Sequence, residues 1–560
     1  MIMKQSRVYQ VCDTYMDQYA VLDPNFAAES GVRSNVDELT DLSPDGHDAR
    51  HALDRSTLSE IEVTPIGGDR DRVAAGLLRE RLQVNNDRHD LGEHLRDLRT
   101  LGSAMQGVRE TFDLMAYSND NDWEVAARRM RAVPAALAGF QQSLEVGVAR
   151  GLVAASRQAN VCARQARSWG GVEGDDAPYF QALAQKCGSG SASLQNEVQA
   201  AAAAATSAFA TLASYLSDSY LQSTNPHDAV GLERYAVEAR SHCGIELDLR
   251  ETYEWGWDEL ARLEADISEC CNRILPGEPY AAVVAHLEQD EARVLHGVDN
   301  LMRWLQDLID QSISDLNGTH FDIAPAMQQC EAMVAPPGGA AAMYYTPPSH
   351  DFSRPGRTWY PTMGNTRFPK WREVSICYHE AVPGHHLQLA LVRHLSDQLS
   401  KYQRLLGWVS GHGEGWALYA ERLMSELGYL DDPAYELGML AAQAMRAVRV
   451  IVDIGMHLEL PIPQGEGPFG GQRWTPEIAL PFVIERSRFP EKFMTSEVDR
   501  YLGLPGQAIS YKVGERVWLD SRDDAKRRHG ASFDLKRWHA YGLQLGPVGL
   551  ATLTAEMARF

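Results

Sequence analysis

Three imidazoles and a carboxylate fall within eight residues of this 560-residue chain, in the stretch Tyr378-His379-Glu380-Ala381-Val382-Pro383-Gly384-His385-His386-Leu387. Neutral imidazoles bind zinc, and a glutamate directly after a ligating histidine can act as base on a water held by the metal. The usual zinc-hydrolase spacing puts the second histidine four residues after the first, one helical turn on. Here that position is Pro383. In an unbroken helix His386 returns to the face of His379, but about 10.5 Å further along the axis at roughly 1.5 Å per residue, which is long for one shared ion. The alternative is that Pro383-Gly384 opens the turn. Proline removes a backbone donor and clashes with the preceding turn, and glycine absorbs the resulting dihedrals. A widened turn swings His385 to where a second ligand sits. The expected ligands are therefore His379 and His385, with His386 as supporting partner or reserve ligand.

A third ligand is expected from a following helix. Gly413-Glu414-Gly415-Trp416-Ala417-Leu418-Tyr419-Ala420-Glu421 places two carboxylates seven apart on one helical face. Glu414, between two glycines that permit close approach, is the candidate ligand. Glu421, two turns deeper, is placed to hydrogen-bond a ligating histidine. Substrate-binding candidates flank these helices. Arg354 sits in a polar loop upstream of the His379 helix. Arg449 and His457, eight apart near one face of a later helix, suit recognition of a peptide carboxylate, or a buried salt bridge.

The motifs H-E-A-V-P-G-H-H-L-Q (379–388), E-G-W-A-L-Y-A-E (414–421) and E-V-D-R-Y-L-G-L-P-G-Q-A-I-S-Y-K (497–512) together resemble the bacterial domain-of-unknown-function family 885. The opening Asp23-Pro24 and Leu39-Thr40-Asp41-Leu42-Ser43-Pro44-Asp45-Gly46 fit it too, so the resemblance runs nearly end to end. That family in turn resembles zincin peptidases of the thimet-oligopeptidase and carboxypeptidase Taq type. Their H-E-x-G-H-A-L carries two histidine ligands, and a glutamate on the next helix is the third. Sliding Gly-His-x-Leu onto Gly384-His385-His386-Leu387 matches His385 to the second ligand, with two residues inserted before it. The resemblance implies a mainly α, neurolysin-like zincin: a two-lobed helical body around a channel, with a small β-sheet beside the metal helix. It also implies that Tyr511, behind a Gly-containing segment, donates its phenol to the oxyanion of the tetrahedral intermediate. The expected function is a zinc-dependent peptidase acting on small peptides, as oligopeptidase or carboxypeptidase, with Glu380 activating the metal-held water. The alternatives are a metal-dependent hydrolase of a non-peptide amide and a metal-free peptide-binding protein.

Composition bounds these readings. The chain is 44% hydrophobic and 23% charged, as expected of a globular protein. Its net charge of −23, from 53 basic and 76 acidic residues, argues against nucleic acid or an anionic membrane as partner. None of the eight cysteines forms a C-x-x-C pair, which points to buried thiols in a reducing compartment. Met1 to Arg7 lack an apolar signal core, and no apolar run of about 18 residues follows. The expectation is a cytoplasmic monomer or homodimer with no membrane partner.

Apolar residues recurring at three and four, as in Leu91, Leu95, Leu98 and Leu101, predict helix from about 47 to 160, and the pattern resumes at about 228–316. Residues 1–335 form the expected framing lobe and 336–560 the catalytic zinc-binding region. Between them, Phe321-Asp322-Ile323 and Met343-Tyr344-Tyr345 read as short strands separated by a Pro336-Pro337-Gly338-Gly339 turn. An edge strand beside the metal helix would let an extended substrate add to it.

Overall fold

The computed structural model describes residues 6–33, 36–174, 177–188, 191–336 and 342–560; Met1–Gln5 and Pro337–Gly339, where a turn is expected from sequence, lie outside these. The chain is mainly helical, with two small sheets. No helix among the described residues is long and apolar enough to cross a membrane. It forms two compact units: Met1–Ile66 with Arg81–Val237 and Asp499–Leu504, and Gly67–Glu80 with Glu238–Val498 and Pro505–Phe560. The division therefore falls elsewhere than at residue 335. The reason lies in helix Leu249–Ile274, which packs along helix Pro433–Leu458. A Cβ at Gly256 would sit 3.1 Å from the side chains of Val450 and Ile451, so the two helices are in close contact there.

In the first unit, helices Asp120–Ala149, Ser156–Trp169, Tyr179–Gln185 and Ala192–Asp218 enclose a core that includes Trp123, Met130, Phe140, Phe180, Phe209 and Leu216. Burying each such side chain contributes about 1.5–3 kcal/mol before the entropy of ordering it. Within the alanine run, Ala201, Ala202 and Ala205 face this core while Ala203 and Ala204 face solvent. The small side chains let neighbours approach closely: a Cβ at Gly170 would lie 2.5 Å from Ala210 N.

The predicted continuous helix fails at Leu91–Leu101. Helix Asp69–Asp90 ends there because Gly92 takes φ 71°, in the left-handed region that glycine adopts without a steric penalty. Leu95 and Leu98 still bury, from a 3-10 turn and a loop, whereas Leu101 is exposed. Apolar spacing was satisfied without a helix.

Four histidines meet beside this turn. His47 and His51 lie one turn apart on helix Pro44–Val63, and His89 and His94 come from the end of helix Asp69–Asp90 and the 3-10 turn. Ring centroids are 4.8 Å apart for His47–His94, 3.8 Å for His51–His89 and 4.2 Å for His89–His94. They line a cavity of about 270 Å³. Burial, reinforced by Arg50 and the neighbouring rings, pushes His47 down to about 3. Burial likewise takes His94 to about 4.

In the second unit, β1 (Val294–His296) pairs antiparallel with β5 (Arg367–Pro369). The other sheet is centred on β4 (Gly356–Tyr360), with β2 (Cys330–Val334) parallel on one edge and β3 (Tyr344–Thr346) antiparallel on the other. Cys330 stands opposite Gly356, and Tyr344 opposite Trp359. Tyr344-Tyr345 is thus a strand, as expected. Phe321-Asp322-Ile323 is not: Phe321 makes a single bridge to Asn317, and its ring stacks on His539 at 5.0 Å. Side-chain packing there displaces the ladder. β5 runs directly into the helix that carries His379.

The depressed histidines make a stability prediction with a definite sign. A folded-state pKa below the unfolded value near 6.5 gives stability that is present above pH 6.5 and lost as pH falls toward the folded values of about 3 to 4. Between pH 7.5 and 5 the loss should be on the order of 2 kcal/mol for His47 and less for the part-exposed His94. Thermal unfolding at the two pH values is expected to show a smaller difference in a His47→Gln/His94→Gln variant. An unchanged difference would refute the assignment.

Candidate metal centre

Helix Lys370–Glu380 delivers His379 and Glu380 and then stops. The expected widened turn is in fact a complete break, since a new helix, His385–His394, starts at the second candidate ligand. The break contains a cis Val382–Pro383 bond. It is closed by Ala381 N donating to Cys377 O at 2.8 Å, Gly384 N to Tyr378 O at 3.0 Å, and His386 N to Ala381 O at 3.0 Å. Trp416 Nε1 donates to Pro383 O at 2.8 Å and pins the break from the next helix. A Cβ at Gly384 would lie 1.9 Å from His379 O, so glycine alone allows the chain to fold back this tightly.

Helix Ser410–Glu426 brings Glu414 against this break. Its approach to helix Ser510–His529 depends on glycines: a Cβ at Gly415 would meet Gly514 Cα at 2.4 Å, and one at Gly514 would meet Gly411 O at 2.0 Å. Among the described residues, His379, His385 and Glu414 are the one group of three whose ligand atoms lie within 4.8 Å of one another. Glu414 Oε2 is 3.4 Å from His379 Nε2 and 3.4 Å from His385 Nε2. Bonds of about 2.0–2.1 Å to a tetrahedral ion require neighbouring ligand atoms about 3.3 Å apart. The donor types are those that zinc takes, and the two separations from Glu414 match that spacing.

The surroundings prepare His379 for that role. Glu421 is fully buried, and its Oε1 accepts from His379 Nδ1 at 2.8 Å. This points Nε2 at Glu414, 3.4 Å away. Glu421 also accepts from Ser375 Oγ and lies 3.4 Å from Arg446 Nη2. Burial alone would push the His379 imidazole down, but the hydrogen bonds to Glu414 and Glu421 hold it up at about 9. Burial would raise the Glu414 carboxyl, yet His385 and His379 hold it well below its ordinary value. These carboxylates demand positive charge between the two rings, which either a cation or protons can provide. Glu380 is buried beside them without being one of the convergent trio, and burial pushes its pKa up.

The remaining candidates are distributed unevenly. His379, Glu380, Arg449 and Tyr511 line one cavity of about 370 Å³. The Arg449 guanidinium lies over the Tyr511 ring at 4.7 Å, and its Nη2 is 2.6 Å from Glu497 Oε2. Of the two sequence readings for Arg449, the buried ion pair is therefore formed. His386 turns away from the trio: Nε2 lies 2.8 Å from Met327 O and Nδ1 2.9 Å from Tyr345 Oη. With both nitrogens engaged in joining its helix to the neighbouring turn and sheet, it is not aimed at the ion site. His457 is fully buried, with Nε2 3.8 Å from Asp453 Oδ1, and lies outside the cavity lining. Arg354 is exposed and donates to Pro347 O at 2.8 Å, holding its own loop together.

Sequence reasoning passed over Tyr280, Trp371, Glu373, Arg446, Arg488 and Phe493, which also line the cavity. Glu373, Ile376 and Glu380 share a helical face at spacings of three and four, so periodicity could have found the first two. No periodicity could have signalled Arg488, which lies beyond a helix end.

A family model described as bacterial protein of unknown function (DUF885) matches residues 24–557. No curated protein matches the chain. Among solved structures, a candidate lipoprotein from Colwellia psychrerythraea is similar with a TM-score of 0.85 and 22% identity, over 99% of this chain and 98% of that one. A candidate lipoprotein of unknown function from Shewanella oneidensis is similar with a TM-score of 0.75 and 18% identity, over 99% of this chain and 100% of that one. At these identities the likeness concerns the fold.

The geometry separates the adjacent histidines experimentally. His385→Ala should lower zinc content after reconstitution, measured by elemental analysis. His386→Ala should keep the metal but lose about 1–3 kcal/mol of stability, because it strands a buried carbonyl and a hydroxyl. Metal loss confined to the His386 variant would reverse the assignment.

Proposed function

Taking as premise that the chain belongs to the bacterial family of unknown function DUF885, we propose that it is a zinc-dependent hydrolase of small peptides. The supporting observation is the pair of 3.4 Å separations from Glu414 to the two imidazoles, with a buried glutamate next to the first of them. Zinc bound by His379, His385 and Glu414 would keep a fourth position open and supply Lewis acidity together with a lowered pKa for water. The reading includes a zincin-type fold for the helices that carry the site.

The protein's own groups account for the other steps. Glu380 takes a proton from water as its oxygen bonds to the peptide carbonyl carbon, and passes that proton to the amine nitrogen as the C–N bond breaks. Its raised pKa makes it a better base than an exposed glutamate. Glu421 keeps His379 in the required tautomer through the hydrogen bond at Nδ1. Tyr511, on the cavity wall, supplies a phenol for the charge that develops on the carbonyl oxygen. Ala342 and Met343, immediately before the edge strand β3, also line the cavity, so a peptide extending along that edge would pass it. The cavity volume of about 370 Å³ admits a small non-peptide amide as well, and that is the second reading. Eight buried cysteines, all unbridged, support a reducing, cytoplasmic setting.

Glu380→Gln keeps the shape of the side chain while removing the base. The variant is expected to retain its zinc and to turn peptides over at least about a hundredfold more slowly. Glu414→Gln should lose zinc and activity together. A peptide-library digest read by mass spectrometry, beside a panel of non-peptide amides and a metal analysis, separates peptidase, amide hydrolase and metal-free binder. Metal loss in Glu380→Gln with full activity on reconstitution would sink the mechanism.

A further inference from the structure

Four arginines line the cavity beside His379 and Glu380. Three of them face carboxylates of their own. Arg446 lies 3.4 Å from Glu421, Arg449 2.6 Å from Glu497, and Arg372 3.6 Å from Glu288 while covering the Trp371 ring. Arg488 differs. Its nearest carboxylate oxygen, Glu264 Oε1, is 3.7 Å away and already accepts from Arg486 Nη1 at 2.8 Å. Its one hydrogen bond among the described residues is a long one, 3.4 Å to Arg486 O. Its Nε is buried and without a partner there, as are those of Arg372 and Arg446, so the distinction rests on its other donors.

The surroundings of Arg488 are those of a binding group. Its guanidinium lies over the ring of Tyr280 at 5.1 Å, and both side chains line the cavity. Its backbone has φ 62°, a left-handed conformation uncommon outside glycine, so the turn holds this side chain at a conformational cost. The residues that follow, Phe489, Pro490 and Phe493, line the same cavity, opposite no acidic group except Glu373 and Glu380. Burial pushes Glu373 up to about 7, so at neutral pH it carries only a partial charge, and no ion pair joins it to Arg488 among the described residues. A desolvated guanidinium with unused donors, next to aromatic walls, matches a carboxylate attached to an apolar group.

We infer that Arg488 binds the free carboxylate of the substrate, and that the cavity accepts the terminal residue of a peptide or an N-acyl amino acid with an apolar side chain. Trp371, Ile376, Met445, Phe489 and Phe493 would surround that side chain. Hydrolysis would then release a terminal residue, and an internal peptide bond, which offers no free carboxylate to Arg488, would be a poor substrate. This inference rests on the reading of the His379–Glu380 cavity as the substrate site.

The test uses N-acetyl-L-phenylalanine and its carboxamide as probes, titrated calorimetrically into the full-length, zinc-loaded Glu380→Gln protein. The acid is expected to bind at least tenfold more tightly than the amide. Arg488→Gly, in which glycine accepts the left-handed φ without strain, and Arg488→Met should bring that ratio close to one with zinc content unchanged. Equal binding of acid and amide, no binding of either, or a ratio that survives both substitutions would overturn the assignment. Turnover by the wild-type chain distinguishes this from the hydrolase reading. Cleavage of C-terminally amidated peptides as fast as their free acids would overturn the carboxylate site and leave the hydrolase. Acid-selective binding with no turnover of any peptide or amide would do the reverse.

Discussion

Glu421 carries a formal negative charge with none of its surface exposed, a state that is costly unless every lone pair is satisfied. It is satisfied by three groups from two other helices: the His379 imidazole and Ser375 hydroxyl on Lys370–Glu380, and the Arg446 guanidinium on Pro433–Leu458. One carboxylate therefore locks three helices together and orients the first ligand of the candidate centre. Because the attachment is charge-assisted and buried, its geometry tolerates little drift. The cavity is built on the same helices, so its walls inherit that rigidity.

The break at Ala381–Gly384 works with this lock. A continuous helix would have separated His379 from His386 by two turns, whereas the break restarts the helix at His385 and turns its imidazole back toward His379. The two rings meet nearly edge to face, with centroids 4.8 Å apart. Backbone hydrogen bonds, the Trp416 indole and the crowding at Gly384 hold the break. The candidate trio is thus positioned by contacts within the protein.

How much of this was legible in the sequence depended on whether the deciding interaction was local. His379, Glu380, Glu414 and Glu421 could be found because ligand chemistry and helical spacing both lie within short stretches. His385 could be preferred to His386 from Pro383-Gly384, although the form of the break could not be foreseen. The roles of His386 and His457 were illegible, since Met327, Tyr345 and the packing that encloses His457 come from elsewhere in the fold. Arg354 looked functional by type, but its partners are carbonyls of its own loop. Leu91–Leu101 carried a helical spacing that one glycine overrode. The unit boundaries were hidden for a similar reason: helix Leu249–Ile274 has an ordinary amphipathic pattern, and nothing in that pattern names the partner its apolar face will choose.

The contact between Gly415 and Gly514 bears on where Glu414 stands. Glu414 is the neighbour of Gly415 in sequence, so the distance between the two helices fixes how far its carboxylate reaches toward the imidazoles. A methyl group at this contact would stand 2.4 Å from Gly514 Cα or 2.0 Å from Gly411 O, too close for either helix to stay in place. The glycine pair works as a gauge block between the two helices. A chain with alanine at either position would have to shift one helix against the other, and the Glu414 carboxylate with it. The approach of that carboxylate to the two imidazoles is thus set in part by residues that touch neither ring.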